Sequence, residues 1–108
     1  MRLLLDENLP KRLKLDFPEH EIFTVSDKSW NSFTNGKLLE VMLAENFDVL
    51  FTFDKNLQHQ QNFSKYPITV VVLNAALNSY EQIAPLIPAI KDFLTQQPLP
   101  KGPIVFSA

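Results

Sequence analysis

Short apolar runs recur along this chain, and each is bounded by polar residues. Five such runs predict β-strands at residues 2–6, 21–25, 48–53, 68–73 and 104–106. Nearly continuous apolar runs of this length are typical of strands that are buried on both faces of a parallel sheet. The run at residues 68–73 is almost wholly apolar, so we expect it to be a central strand.

Two segments between these runs have the apolar spacing of amphipathic helices. In residues 9–17 the apolar side chains recur at every fourth position, and Pro18 marks the end of the predicted helix. A longer helix is expected over residues 80–94, where Pro85 and Pro88 delay or kink the first turns. Its apolar side consists of Ile83, Leu86, Ile87, Ile90 and Leu94. That side either packs on the sheet or forms a homodimer.

A further helix is expected in the middle of the chain, after a polar loop that contains Trp30 and Phe33. It begins at Thr34 or Asn35 and stops near Asn46, which is a common residue at helix ends. Its apolar side consists of Leu38, Leu39, Met42 and Leu43. The two aromatic residues of the loop either stack on an unpaired nucleic-acid base or cover the edge of the core.

The alternation of strands and helices predicts the fold class. It indicates an α/β protein, a single three-layer α/β/α domain with a mainly parallel central sheet of about five strands. The chain has 108 residues, which suits one domain with one modest core. We therefore expect residues 1–108 to form one domain.

Composition and charge narrow the classes of function. The chain is 45% hydrophobic and 20% charged, with a net charge of −2, so bulk charge gives no argument for nucleic-acid binding. There are no cysteines, which excludes disulfides and thiolate metal sites. No segment approaches the ~18 apolar residues that span a bilayer, and no signal-peptide pattern opens the chain. We expect a cytoplasmic protein with no membrane partner.

Acidic residues follow two of the predicted strands. Asp6 and Glu7 end the first apolar run, and Asp54 ends the third. In an open parallel sheet, ligands bind outside the carboxyl ends of the strands, so Asp6 and Asp54 are expected to meet at one crevice. Two carboxylates there suit a hard cation such as Mg²⁺ or Mn²⁺. Alternatively, each acid caps the segment that follows it. His59 either approaches the same crevice or has a surface role. The amide-rich tract of Gln58, Gln60, Gln61 and Asn62 either contacts nucleic-acid sugars and bases or forms a solvated turn.

Other polar residues are candidates for the same crevice. Glu40, about one turn into the second helix, either supplies a third, catalytic carboxylate or is a solvated helix residue. Asp27, just past the second strand, is a similar candidate. Asn8, Asn35 and Asn56 are candidates for substrate binding because an amide can donate a hydrogen bond to a phosphate, although capping is an alternative use for each.

Two stretches of the sequence resemble a known family. Residues 3–10 read Leu-Leu-Leu-Asp-Glu-Asn-Leu-Pro, and residues 47–57 read Phe-Asp-Val-Leu-Phe-Thr-Phe-Asp-Lys-Asn-Leu. Together they resemble the DUF5615 family of PIN-like domains, and the loop at 27–30, the helix start at 35–40 and the strand at 68–73 match in order. The resemblance extends over nearly the whole chain.

The resemblance implies a small α/β fold with a parallel sheet and a specific chemistry. PIN-like domains are mostly Mg²⁺- or Mn²⁺-dependent ribonucleases, and many are toxins of bacterial toxin–antitoxin pairs. By this resemblance Asp6 and Asp54 hold the metal, RNA is the substrate and an antitoxin protein is the partner. Many relatives have Asp where this chain has Asn35 and Asn56. The alternative is therefore a catalytically weakened PIN-like module that acts by binding protein or RNA. A phosphoryl-accepting receiver-like domain is a third interpretation of the same acids.

Overall fold

A five-stranded parallel sheet forms the centre of the computed structural model, which describes residues 1–57 and 61–108. The strands are β1 (Arg2–Leu5), β2 (Glu21–Thr24), β3 (Val49–Thr52), β4 (Thr69–Asn74) and β5 (Gly102–Ser107). Their order in the sheet is β2-β1-β3-β4-β5, and every neighbouring pair is parallel. The predicted α/β domain with a parallel sheet of five strands is confirmed.

The order of the strands reverses beside β1. β2 pairs with one edge of β1, and β3 pairs with the other edge, so that Leu5 lies between Thr24 and Phe51. From β3 onward the chain continues outward through β4 to β5. In open α/β sheets such a reversal leaves a crevice at the carboxyl ends of the two strands beside it, here β1 and β3.

Helices account for most of the connections between the strands. They include a 3₁₀ helix at Lys11–Asp16, α1 at Asn35–Ala44, α2 at Tyr80–Ile83 and α3 at Ile87–Phe93, with a 3₁₀ turn at Ala84–Leu86 between the last two. The segment expected as an α-helix at residues 9–17 is 3₁₀ instead. Pro10 before it and Pro18 after it confine the helical turns to a connecting segment of six residues. 3₁₀ turns are frequent in short connectors, although runs of more than about four residues are uncommon.

Local sequence explains how the other helices begin and end. Thr34 caps α1, because its hydroxyl accepts a hydrogen bond from the backbone N–H of Lys37 at 3.3 Å. Asn46 ends α1 with a positive φ of 62°, a conformation that Asn tolerates. The interruption between α2 and α3 falls at Pro85, where a proline ring disfavours regular α-helical geometry.

Two apolar clusters cover the two faces of the sheet. On one face, Leu3, Leu5 and Phe51 pack with the buried residues of the 3₁₀ helix and of the α2–α3 segment. On the other, Leu4 and Leu50 pack with the buried side of α1. The apolar residues of the α2–α3 segment, which allowed a homodimer, are core residues: Ile83, Leu86, Ile87, Ile90 and Leu94.

The last strand is longer than the sequence pattern predicts. Residues 104–106 were expected, whereas β5 extends over Gly102–Ser107 and includes Pro103. A proline cannot donate a hydrogen bond to a sheet, so it is tolerated in an edge strand where its nitrogen faces away from the neighbouring strand. The backbone N–H of Gly102 donates to the carbonyl of Ile68, the residue before β4. Because the direction of the backbone groups alternates along a strand, the nitrogen of Pro103 points away from β4.

Two further predictions concern membrane-spanning helices and the candidate His59. In the part of the chain that the structure describes, no helix has the length and apolar character needed to cross a membrane. The candidate His59 and its neighbours Gln58 and Gln60 lie outside the described residues.

Candidate functional site

Two acids lie where β1 and β3 end. Asp6 directly follows β1, and its backbone N–H donates to the carbonyl of Phe51 at 2.9 Å, which continues the pairing of the two strands past Leu5. Asp54 follows β3 by two residues. Because β1 and β3 are parallel neighbours, both acids lie at the same edge of the sheet, and the charge of Asp54 acts on Asp6.

A threonine connects the two acids. Thr52 is fully buried at the end of β3, and its hydroxyl donates to Oδ2 of Asp6 at 2.8 Å. The same hydroxyl oxygen accepts from the backbone N–H of Asp54 at 3.0 Å. A hydroxyl provides one donor and two acceptor positions, so Thr52 can hold both residues at once. It therefore sets the orientation of the Asp6 carboxylate relative to the turn that contains Asp54.

Burial dominates the electrostatics of Asp6. Loss of water around its carboxylate raises its pKa above the ordinary value, and the negative charges of Glu7 and Asp54 act in the same direction. Hydrogen bonds from Thr52 and from the backbone N–H of Glu7 oppose this rise without cancelling it. The ionised carboxylate thus lies at a place where added positive charge is favourable.

Replacing Thr52 by Val is expected to destabilise the protein by about 2 kcal/mol, because the change keeps the shape of the side chain but removes its hydroxyl. The Asp6 carboxylate then loses a donor, and the backbone N–H of Asp54 loses its acceptor. Urea unfolding measures the change. Thr52→Ser is the control, since it keeps the hydroxyl and loses only a methyl group, and a Val variant more stable than the Ser variant would contradict the role assigned to this hydroxyl.

Asp54 is held by its own turn. Its Oδ1 accepts from the backbone N–H of Asn56 at 2.9 Å, and its backbone carbonyl accepts from Leu57 at 3.3 Å. This is the local capping arrangement that short acidic side chains make before a turn or helix. The capping expected as the alternative use of Asp54 is therefore present for one carboxylate oxygen.

The remaining carboxylates are engaged elsewhere. Glu40 is exposed on α1, where its Oε1 lies 3.6 Å from Nζ of Lys37. Oε2 of Glu7 accepts from the side-chain amide of Asn31 at 3.1 Å. Across residues 1–57 and 61–108, no three His, Cys, Asp or Glu side chains come together as a metal-binding group. The described part of the site is thus a pair of acids, and Glu40 does not complete it.

The three asparagines have different surroundings. Asn8 does not cap the 3₁₀ helix, which has no side-chain cap; its Oδ1 accepts from the backbone N–H of Phe53 at 3.3 Å. This contact ties the segment after β1 to the end of β3. Asn35 is the half-buried first residue of α1, whereas Asn56 is exposed beside Asp54.

Asp27 belongs to a turn after β2. Its Oδ2 accepts from Nζ of Lys14 and from the backbone N–H of Thr24, both at 2.8 Å. The bond from Lys14, followed by the bond from Thr24, lowers the pKa of this carboxyl. These bonds give Asp27 a structural use that is separate from the acid pair.

The aromatic residues of the polar loop cover the edge of the core. Trp30 stacks with Phe33 at a ring-centroid distance of 6.4 Å and meets Phe47 edge-on at 5.7 Å. Nζ of Lys28 lies 5.3 Å from the centroid of the Trp30 ring, a distance at which a cation is attracted to an indole face. Packing, one of the two uses expected for these aromatic residues, is thus present, and stacking on an unpaired base stays a prediction.

A cleft of about 520 Å³ opens at the opposite ends of the strands, where β1, β3 and β4 begin. Its lining includes Met1, Asp48, Thr69, Leu99 and Lys101. The Asp48 carboxylate there accepts from the backbone N–H of Arg2 at 2.8 Å and thereby secures the start of β1. We place the candidate site at the carboxyl ends of the strands instead, because ligands of open parallel sheets bind there and the acid pair lies there.

The sequence pattern predicted that Asp6 and Asp54 follow two strands at one crevice, and those strands are neighbours, but it did not single out Thr52. The signal that could have found it is a hydroxyl side chain within the apolar run that precedes Asp54. Comparison with known proteins adds no relative to this picture: the chain matches no protein-family model, and no match was found among the curated proteins or the solved structures.

Proposed function

We propose that this protein is a PIN-like, Mg²⁺- or Mn²⁺-dependent ribonuclease that acts as the toxin of a toxin–antitoxin pair. One observation supports the proposal above the others. Asp6 and Asp54 follow two adjacent parallel strands at the point where the strand order reverses, and a buried hydroxyl joins them. That is the position at which open α/β sheets bind their ligands.

The residues present fit a hard divalent cation. Mg²⁺ is commonly held by one or two carboxylates and completes its coordination with water and substrate phosphates. Asp6 is partly removed from water and lies in the field of Glu7 and Asp54, so a cation beside it would offset unfavourable negative charge. When bound, the metal would lower the pKa of water and offset the charge that develops on an attacked phosphodiester.

The protein's own residues prepare this site. Thr52 holds the Asp6 carboxylate in one orientation, which limits the reorganisation that ligand binding requires. The turn bond from Asn56 does the same for Asp54. Lys55 follows Asp54 directly in the chain, and its Nζ lies 4.8 Å from the centroid of the Phe53 ring. In this proposal its positive charge contacts an RNA phosphate.

Titration with Mn²⁺ followed by calorimetry tests the metal site before any substrate is chosen. The wild type is expected to bind Mn²⁺, and Asp54→Asn is expected to bind at least about tenfold more weakly because an amide is a poorer ligand for a hard cation. Asp92→Asn makes the same chemical change at an exposed position on α3 and should bind like the wild type.

Two results would contradict the proposed metal site. The first is a wild-type protein that gives no heat of Mn²⁺ binding up to millimolar metal. The second is an Asp54→Asn variant that binds with unchanged affinity, since the cation would then lie elsewhere.

A second candidate function is a PIN-like binding module that acts on RNA or protein without cleavage. The observation that favours it is the engagement of Glu40 with Lys37 and of Glu7 with Asn31, which leaves only two acids at the described site. Asn35 and Asn56 stand where many members of the resembled family have Asp, and they also favour this candidate. This candidate predicts no Mn²⁺-dependent rise in melting temperature. A rise that disappears on chelation would count against it.

A further inference from the structure

The outer edge of β5 presents an open row of backbone groups. β5 is the last strand of the sheet and pairs only with β4. Within the described ranges, 1–57 and 61–108, no strand lies on its other side. Val105, in the middle of β5, is 43% exposed. An apolar edge strand of this kind is a template for pairing with another chain.

The direction of each backbone group along β5 follows from its first and last hydrogen bonds. Gly102 donates to Ile68, and Ala108 donates to Asn74. Because the direction alternates along a strand, the even-numbered residues of β5 point toward β4 and the odd-numbered residues point outward. The outward groups are therefore the N–H and C=O of Val105 and Ser107, together with the C=O of Pro103, which has no N–H.

The other edge strand of the sheet, β2, has features that prevent pairing with another chain. β2 has only four residues and begins with Glu21, whose Oε2 lies 3.4 Å from a guanidinium nitrogen of Arg2. Short length and charged side chains are common means of preventing edge pairing. β5 has six residues, and none of them is charged. Pairing is thus disfavoured at the β2 edge and open at the β5 edge.

We propose that the β5 edge pairs with the β5 edge of a second copy of this chain, antiparallel and about a twofold axis at Val105. In this register the two Val105 residues exchange both of their outward hydrogen bonds. Ser107 of each copy donates to Pro103 of the other. Every outward N–H of the strand then has an acceptor. Pro103 has no N–H, so the carbonyl of Ser107 in the other copy receives no hydrogen bond from it.

The side chains and charges of β5 also suit a second copy. An isologous pairing places each residue opposite its own counterpart or a symmetry-related one, so any charge on the strand would meet a like charge nearby. β5 has no charged residue, and the exposed Val105 faces Val105, an apolar β-branched pair that stabilises a ladder. The buried apolar side of the α2–α3 segment is not available for the same purpose. The product is one continuous sheet across two copies.

Sedimentation over a range of about 10 µM to about 1 mM protein tests the pairing. The wild type is expected to shift from monomer toward dimer as concentration rises. Val105→Lys and Val105→Glu should each weaken dimerisation at least about tenfold, because like charges then face each other across the axis. An equimolar mixture of the two variants should dimerise again, and Val105→Thr, which keeps the β-branched shape, should behave like the wild type.

Amide hydrogen exchange locates the interface independently of these variants. The amides of Val105 and Ser107 should exchange more slowly at high than at low protein concentration, while those of β2 should not change. A wild type that stays monomeric throughout the range would overturn the proposal, and so would a dimer that persists in both charged variants or leaves these two amides unaffected. If β5 pairs only with a strand of a different protein, the wild type will stay monomeric, which is the first of these results.

Discussion

Asp6→Asn is expected to reduce metal-dependent RNA cleavage by at least about 100-fold. At the same time it is expected to stabilise the metal-free protein at pH 7. The loss of cleavage follows from the loss of one of the two carboxylates that are proposed to hold the metal. The gain in stability follows from the burial that raises the pKa of Asp6, together with repulsion from Glu7 and Asp54. Asparagine removes the charge and keeps an oxygen that accepts from Thr52, but its NH2 group replaces the oxygen that accepts from the backbone N–H of Glu7, so the gain is smaller than the relief of charge alone.

The stability difference should depend on pH in a defined direction. A carboxyl whose folded pKa lies above its unfolded value binds protons more readily in the native state. Wild-type stability from this group is therefore greatest below the unfolded pKa and is lost as pH rises through the raised folded pKa. The advantage of Asp6→Asn over the wild type should accordingly be present at pH 7 and shrink toward pH 3.

Urea unfolding in a chelator at several pH values, and cleavage of single-stranded RNA with Mn²⁺, measure the two effects. Asp92→Asn is the control, because it makes the same change at an exposed site and should alter neither cleavage nor stability. Undiminished cleavage by Asp6→Asn would refute the proposed nuclease site. A variant that is less stable than the wild type at pH 7 would refute the electrostatic interpretation of Asp6.

Phe51→Ala is expected to destabilise the protein by about 4 kcal/mol. Phe51 is 1% exposed in β3, the middle strand of the sheet, and its ring meets that of Phe17 edge-on at 5.2 Å. Truncation removes this aromatic pair and leaves a cavity between the sheet and the 3₁₀ helix. The backbone carbonyl of residue 51 accepts the hydrogen bond from the N–H of Asp6. Alanine keeps this carbonyl, so the substitution does not remove that hydrogen bond.

Urea denaturation measures this cost. Phe51→Leu should lose much less, since it refills most of the space with apolar atoms. Leu15→Ala is the surface control: Leu15 is 79% exposed, and its truncation should change stability by less than about 0.5 kcal/mol. A Phe51→Ala variant that is destabilised no more than the Leu15 variant would show that the face of the sheet that contains Phe51 is not packed as described.

The fold was largely predictable because its three inner strands, β1, β3 and β4, are buried on both faces. A run such as residues 68–73 has few polar interruptions, which is what a central parallel strand requires, and it became β4 with small shifts at its ends. The 3₁₀ geometry between Pro10 and Pro18 was missed because an apolar residue at every fourth position fits either helix type over so short a segment. The length of β5 was missed because a proline usually argues against a strand, and its tolerance depends on which neighbour is absent.

The candidate site was predictable only in part. Asp6 and Asp54 could be placed at one edge because parallel strands all end on the same side, but their adjacency required the order of the strands, which no local pattern contains. The link through Thr52 depends on the register between β1 and β3. Glu40 was a candidate by its position near the start of α1, yet its side chain is solvated and lies near Lys37, a choice that spacing along one helix leaves open.

The burial of Asp6 has a consequence for how substitutions at this site would be selected. In a screen that rewards only the amount of folded protein, Asn at position 6 should be enriched over Asp, because it relieves the charge that burial disfavours. In a screen that rewards RNA cleavage, the ranking should reverse. Thr52 should be retained in both screens, since both the folded state and the orientation of Asp6 depend on its hydroxyl. Position 6 is thus where selection for abundance and selection for activity separate.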